Sequence, residues 1–123
     1  MRLELKQDRI ADVVILTVSG RVDHTSADQF RVLLWPHLAA CAASGDRLVL
    51  ELSGLEYISS AGLRVLMLAS RDVKARDGTL MVCGLQPIVK EIFEISRFNI
   101  VFNVLPDRGA ALAELRVASP AGA

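Results

Sequence analysis

Two adjacent serines, Ser59 and Ser60, stand where side-chain hydroxyls could do chemistry. The apolar run 48–52 ahead of them favours a buried strand, and the spacing of Leu63 and Leu66 after them predicts a helix. At a helix start, the free N–H groups and the aligned peptide dipoles stabilise a capping oxygen or an added phosphate. The pattern therefore leaves two roles open for these serines, as helix caps or as acceptors of a phosphoryl group.

Motifs for catalysis, nucleotide binding and metal binding are missing from the sequence. It contains no Gly-x-x-x-x-Gly-Lys-(Ser/Thr) loop, no Gly-x-Gly-x-x-Gly fingerprint and no Gly-x-Ser-x-Gly elbow. The two histidines, His24 and His37, are too few for a histidine-rich metal site, and no second catalytic group is implicated beside them. We therefore expect no enzyme activity, no catalytic residue, no cofactor and no metal.

Composition indicates one folded domain with a protein partner. With 52% hydrophobic and 23% charged residues, the chain is long enough for its own core, so we expect a domain over residues 1–116 and a flexible tail over 117–123. Fourteen basic residues balance fourteen acidic ones, which argues against nucleic acid as a partner. No apolar run approaches the ~20 residues that span a bilayer, so we expect a cytoplasmic protein without membrane insertion. Cys41 and Cys83 are expected to be reduced core thiols.

The periodicity of apolar residues predicts an α/β domain with the order β-β-α-β-α-β-α-β-α. We expect an edge strand near the N-terminus and a hairpin from it to a second strand, which ends at Gly20. A further strand is expected over 48–52, with its end marked by Ser53 and Gly54. Four helices are predicted. The first, over 26–43, begins with a Thr25–Asp28 capping box and is kinked or broken near Leu34 to Pro36, and the second extends over 60–75. The third, over 87–96, has Ile88, Ile92 and Ile95 with Val89 and Phe93 on its apolar face, and Asp107 caps the fourth. The remaining strands are placed at 79–83 and 100–104. This alternation predicts a mainly parallel sheet with an antiparallel edge hairpin.

Two segments resemble a known family. Residues 58–66, Ile-Ser-Ser-Ala-Gly-Leu-Arg-Val-Leu, look like the signature of the STAS domain, the fold of bacterial anti-sigma factor antagonists. Residues 18–23, Val-Ser-Gly-Arg-Val-Asp, followed by Thr-Ser-Ala at 25–27, resemble the segment of that family between an early strand and the first helix. The likeness extends roughly from Leu3 to Leu115. It implies a single STAS-like domain whose mixed, mostly parallel sheet of about five strands carries about four helices, with the motif loop at one end.

The resemblance also implies a phosphorylation site. The family motif is commonly Asp-Ser-(Ser/Thr)-Gly, and a partner anti-sigma factor that is itself a kinase phosphorylates its first hydroxyl residue. Alignment on Gly62 makes Ser60 the expected acceptor, with Ser59 as the alternative. Here Ser59 replaces the acid and Ala61 replaces the second hydroxyl residue. The expected partner-binding residues are Arg21, Asp23, Ser59, Ser60, Ala61, Gly62 and Arg64.

Two functions follow from the resemblance as hypotheses. In the first, the unphosphorylated chain binds an anti-sigma factor of the serine-kinase type and thereby releases a sigma factor. Phosphate on Ser60 stops this binding. A serine phosphatase is then a possible further partner of the chain. In the second, the chain is a STAS scaffold that is not phosphorylated, or an accessory subunit of a stress-signalling or lipid-transport complex. Ser60 would then be only a helix cap.

Overall fold

A computed structural model of the chain describes residues 3–116. The strands are β1 (Glu4–Ile10), β2 (Val13–Val22), β3 (Arg47–Ile58), β4 (Thr79–Cys83) and β5 (Asn103–Leu105). The helices are α1 (Ala27–Leu38), α2 (Ser60–Ala75), α3 (Pro87–Ile95), α4 (Phe98–Val101) and α5 (Arg108–Glu114). The predicted tail, residues 117–123, lies outside the described residues.

The five strands form one mixed sheet in the order β1-β2-β3-β4-β5. β1 and β2 form the predicted antiparallel hairpin, and every other neighbouring pair is parallel. Buried side chains of α1, α2, α3 and α4 share one core with one face of the sheet. α5 covers the other face, where Leu112 and Leu115 pack with Ile15 and Val49. The predicted α/β class and its mostly parallel sheet are thus confirmed.

β2 and β3 are longer than the sequence predicted. Ser53 and Gly54 do not end β3, and Gly20 does not end β2, because the two strands stay paired as far as Val22 and Ile58. A Cβ atom on Gly54 would lie 2.7 Å from the Ser19 Cβ, so this glycine permits a close approach of the strands. β4 ends opposite Glu51, and β3 continues beyond it by about 20 Å at the usual strand rise. This extension carries the motif to one end of the molecule.

The first helix differs from its prediction at both ends. Thr25 and Asp28 do not form a capping box, because Ser26 is the N-cap residue and the Thr25 hydroxyl bonds to Asp23 instead. The helix continues through Pro36 and ends at Leu38, five residues before the predicted end. The chain then turns, and the Arg76 guanidinium of the α2 C-terminus donates hydrogen bonds to the carbonyls of Leu38 and Cys41. These long-range bonds give partners to one carbonyl at the end of α1 and to one in the turn that follows it.

The segment after α3 also departs from its prediction. Residues predicted to begin a strand at Ile100 form the short helix α4, and β5 starts only at Asn103. One helical turn places Phe98 and Phe102 on the same side, where their rings lie 5.8 and 6.2 Å from that of Phe93. Burial of these aromatic rings outweighs the strand preference of the apolar run.

Only part of the predicted apolar face of α3 is buried. Val89 and Phe93 are fully buried and Ile92 packs partly against the core, whereas Ile88 and Ile95 are 53% and 76% exposed.

α2, β4 and the Asp107 cap agree with their predictions, since α2 and β4 have the predicted bounds and the Asp107 carboxylate accepts from the Ala110 N–H at 2.8 Å.

Candidate functional site

Ser59 is the N-cap of the motif helix. Its backbone is extended, and its hydroxyl oxygen accepts a hydrogen bond from the Gly62 N–H at 3.2 Å. Its own N–H donates to the Val22 carbonyl at 2.7 Å, and its carbonyl accepts from the Leu63 N–H at 2.9 Å. The hydroxyl and the carbonyl of Ser59 therefore cap α2, while its N–H joins the helix to the end of β2.

Ser60 is the first residue of α2, and its side chain is exposed. The N–H groups of Ser60 and Ala61 lie in the first turn, where the helix has no carbonyl four residues earlier to accept them. The first turn of α2, all of which the structure describes, contains no acidic side chain that would interact with the positive end of the helix dipole. The Ser60 hydroxyl thus combines access from solvent with an environment that favours an added negative charge.

Gly62 holds the start of α2 close to the two long strands. A Cβ atom at this position would lie 2.6 Å from Val22 Cγ1 and 2.7 Å from Ile58 Cγ1. Real Cβ atoms do not approach carbon so closely, and both neighbours are β-branched and stiff. A glycine therefore lets the helix seat against β2 and β3, and this contact sets the position of Ser60.

Arg21 reaches the site from the end of β2. It pairs in register with Tyr57, and its guanidinium carbon lies 4.8 Å from the centre of the Tyr57 ring. This distance is that of a cation–π contact, which restrains a side chain that is otherwise exposed. Tyr57 was not among the predicted site residues. Its sole signal in the sequence is its place three residues before Ser60, because the pairing with Arg21 depends on the register between two strands.

Asp23 stabilises the loop between β2 and α1. Its carboxylate accepts from the Thr25 hydroxyl at 2.6 Å, from the Thr25 N–H at 2.9 Å and from the Ser26 N–H at 3.0 Å. These bonds, first among them the one from the Thr25 hydroxyl, lower the pKa of Asp23 from 3.8 to about 2. The charged carboxylate of Asp23 therefore stabilises the turn that contains it, through its bonds to Thr25 and Ser26.

The structure brings the predicted site residues to one end of the molecule. The hydrogen bond between Ser59 and Val22 joins the motif directly to the segment that carries Arg21 and Asp23. Arg64 follows Ser60 by one helical turn and is exposed, whereas Ala61 is half-buried. The seven predicted residues, with Tyr57 added, define a region that we call the motif surface, in which Gly62 is buried and holds the others in place: Arg21, Asp23, Tyr57, Ser59, Ser60, Ala61, Gly62 and Arg64.

A separate cavity of about 580 Å³ lies at the carboxyl ends of β4 and β5. Glu51, Arg108 and Asp107 contribute charged groups to it, but Arg108 already donates to Glu51 at 2.8 Å and to Asp8 at 3.0 Å. None of the motif surface lines this cavity. Its charged residues serve to anchor α5 to the sheet.

The described residues contain few other groups suited to chemistry. Within residues 3–116 no group of three or more histidine, cysteine, aspartate and glutamate side chains is placed to hold a metal ion. Cys41 and Cys83 are free thiols and fully buried, and desolvation raises the pKa of both, that of Cys83 to about 11. In the same part of the chain, no helix has the length and apolar character needed to cross a membrane.

The fold and the motif surface together point to one family. A sequence model of the STAS domain matches residues 4–111, which include every strand and the motif helix. The chain belongs to the STAS domain family, and the resemblance read from the two sequence motifs is confirmed.

Similar proteins carry regulatory names. A relative from Bordetella bronchiseptica, named "Putative anti-sigma factor antagonist BtrV", is 40% identical over 119 residues, which cover 96% of this chain and 99% of the relative. The crystal structure of an anti-sigma factor antagonist from Mycobacterium paratuberculosis has a TM-score of 0.82 at 21% identity and covers 94% of this chain and 95% of that one. The phosphorylated form of the Bacillus cell fate determinant SpoIIAA has a TM-score of 0.67 at 15% identity, with coverage of 92% and 100%. At these identities the two solved structures support the fold alone.

Proposed function

We propose that this protein is an anti-sigma factor antagonist whose binding to its partner is switched off by phosphorylation of Ser60. The observation that carries the proposal is the division of roles between the two serines. Ser59 supplies the helix cap, so the exposed Ser60 hydroxyl is not needed for the fold and is open to a kinase. The partner is an anti-sigma factor of the serine-kinase type, and the exchange takes place in the cytoplasm.

The charge of the phosphate accounts for the switch. Phosphorylation adds about −1.5 to −2 charge to the exposed Ser60 hydroxyl of the motif surface. In the free protein the N–H groups of the first turn and the helix dipole stabilise this charge, so the fold survives. On docking, the phosphate would have to lose its water against a partner surface shaped for a neutral hydroxyl, and the cost of desolvation opposes binding. A serine phosphatase would restore the binding form.

The remaining motif surface supplies contacts for the unmodified state. Arg21, held over Tyr57, and Arg64, four residues after Ser60 in α2, contribute two cations to the motif surface. Charges at the rim of an interface steer association and select partners. We therefore propose that the anti-sigma factor meets this surface with an acidic patch, and that the chain is a substrate of the kinase and not itself a catalyst.

The experiment uses the kinase that associates with the protein. Affinity capture from a lysate of the source organism, with and without phosphatase treatment, recovers the partner, and the purified pair is then incubated with ATP. Mass spectrometry should place phosphate on Ser60, Ser60→Ala should gain none but still bind, and Ser59→Ala should still be modified. Ser60→Asp should weaken binding by about tenfold or more, which corresponds to about 1.4 kcal/mol. Phosphate on Ser59, or wild-type affinity of Ser60→Asp, would contradict the proposal.

Two departures from the family motif favour a second candidate function. Ser59 stands where the acid is common and Ala61 where a second hydroxyl is common, so a kinase that reads either group would not recognise the chain. The protein would then be a STAS scaffold or an accessory subunit of a stress-signalling or lipid-transport complex. Capture of transport subunits alone, unaffected by phosphatase, would favour this candidate.

A further inference from the structure

Ser60 and Arg64 lie one helical turn apart on the same exposed side of α2. Ser60 is the first residue of the helix, and both side chains are exposed. Residues at i and i+4 of a helix have Cβ atoms about 5–6 Å apart, within reach of an arginine side chain. An anion that precedes a cation at this spacing has the favourable orientation. The phosphate itself would also lie at the positive, N-terminal pole of the helix dipole.

Arg64 is available for a new anion. Within residues 3–116, Arg64 takes part in none of the ion pairs, all of which use Arg9, Arg47, Arg76 or Arg108. Arg21, the other arginine of the motif surface, lies over the Tyr57 ring. The acidic residue of α2, Asp72, lies two turns beyond Arg64 and pairs with Arg76. A phosphate on Ser60 would therefore meet a guanidinium without an existing partner.

We propose that Arg64 is the intramolecular receptor of the phosphate on Ser60. This inference rests on the proposed function and explains how the modified state is held. The guanidinium fork donates two parallel N–H bonds to phosphate oxygens, a geometry that lysine cannot reproduce. The same arginine cannot then offer those donors to an acidic partner. Phosphorylation thus acts twice, since it adds a charge at Ser60 and withdraws a cation from the motif surface.

The test measures the phosphate directly and needs neither kinase nor partner. Phosphoserine is installed at residue 60 of the full chain during translation, and the second ionisation of the phosphate, ordinarily near pH 6, is followed by ³¹P NMR. A nearby cation favours the dianion and lowers this pKa. The midpoint should therefore rise by about 0.2–0.4 of a pH unit in Arg64→Gln, the shift that an exposed i,i+4 ion pair produces.

Matched variants distinguish an ion pair between the phosphate on Ser60 and Arg64 from the overall electrostatic field of the protein. Arg71→Gln removes a cation from the same helix, also exposed but more than two turns from Ser60, and should leave the midpoint unchanged. Arg64→Lys keeps the charge without the fork and should give an intermediate midpoint. In about 1 M salt the midpoints of the parent and Arg64→Gln should converge, because an exposed pair is screened. Circular dichroism of each variant checks that the fold is kept.

The outcomes distinguish the inference from the proposed function. Equal midpoints in the parent and Arg64→Gln, or an equal shift in Arg71→Gln, would overturn the role of Arg64, whatever the effect of phosphate on binding. Conversely, a phosphoserine protein that shows the Arg64-dependent shift yet binds the anti-sigma factor as tightly as the unmodified chain would overturn the proposed switch and leave the ion pair in place.

Discussion

At the scale of single residues, the two motif serines differ in what they do for the fold. Ser59 caps α2 through the Gly62 N–H, whereas Ser60 is exposed at the first position of the helix. Replacement of an N-cap serine by alanine costs about 0.5–2 kcal/mol, because a helix N–H loses its acceptor. Ser59→Ala should therefore lower the free energy of unfolding by this amount, and Ser60→Ala should change it by less than about 0.5 kcal/mol.

Urea unfolding of the two alanine variants and the parent provides the measurement. Both variants remove one hydroxyl from neighbouring positions, so each is the control for the other. A larger loss in Ser60→Ala than in Ser59→Ala would mean that the cap has been assigned to the wrong serine, and would weaken the argument that Ser60 is free for modification.

Asp23 should make the stability depend on acid pH. Its pKa falls to about 2 in the folded state from an ordinary 3.8, so the folded state binds its proton less readily than the unfolded state does. The stabilisation by the charged carboxylate is therefore complete above about pH 5 and is lost as the pH falls towards 2. Asp23→Asn, which keeps an acceptor oxygen but not the charge, should be less stable than the parent near neutral pH.

Denaturant unfolding at several pH values between 2 and 6 checks this expectation. The difference in unfolding free energy between the parent and Asp23→Asn should shrink steadily as the pH falls, because the Asp23 carboxylate becomes protonated. The other carboxyl groups titrate in both proteins, so their effect cancels in this difference. A difference that stays constant over this range would show that the hydrogen bonds of the turn, and not the charge, account for the effect of Asp23.

At the scale of elements, the contact of α2 with β2 and β3 determines where Ser60, the proposed phosphoacceptor, lies. Gly62→Ala would introduce a Cβ atom 2.6 Å from Val22 and 2.7 Å from Ile58, so side chains or the helix must shift. Such overpacking costs about 1–3 kcal/mol, and the shift should also weaken partner binding because it moves Ser60.

Gly109→Ala is the matched control. Gly109 is also near a helix start, but its added Cβ would have an ordinary contact of 3.5 Å with the Asp107 carboxylate. Because alanine favours helix over glycine, this variant should be as stable as the parent or more stable. Thermal unfolding that showed equal losses for the two variants would argue against close packing at Gly62.

At the scale of the whole molecule, the sheet separates two cores of unequal size. Cys41 lies in the larger core beneath α1 to α4, and Cys83 lies in the smaller core beneath α5. Both thiols are fully buried, and burial raises the pKa of each, so neither is reactive in the folded state. Their accessibility therefore reports how the two faces of the sheet open.

We expect the two thiols to become reactive together. A single domain of this length usually unfolds in one step, and Arg108 ties α5 to Glu51 and Asp8 across the sheet. In a urea series, a thiol reagent read out by mass spectrometry should label Cys41 and Cys83 with the same midpoint. Labelling of Cys83 at a lower urea concentration would reveal that α5 opens separately, and Arg108→Ala should then make this separation larger.

The sequence by itself determined the features that depend on neighbours along the chain. The bounds of α2 and β4, the Asp107 cap and the antiparallel hairpin were predicted because apolar periodicity, capping residues and short connections act over a few residues. The two motifs likewise led to the STAS family, and Ser60 followed from alignment on Gly62. The choice of Ser60 as phosphoacceptor remains a prediction.

The tertiary structure decided what depends on residues far apart in the chain. Pairing with β2 carried β3 past Ser53 and Gly54, and stacking on Phe93 turned a predicted strand into α4. Strand register brought Tyr57 under Arg21, and the bond from the Ser59 N–H to the Val22 carbonyl joined the start of α2 to β2. Burial and long-range hydrogen bonds outweigh local preferences of a few tenths of a kcal/mol per residue, so these outcomes could be known only once the elements were packed together.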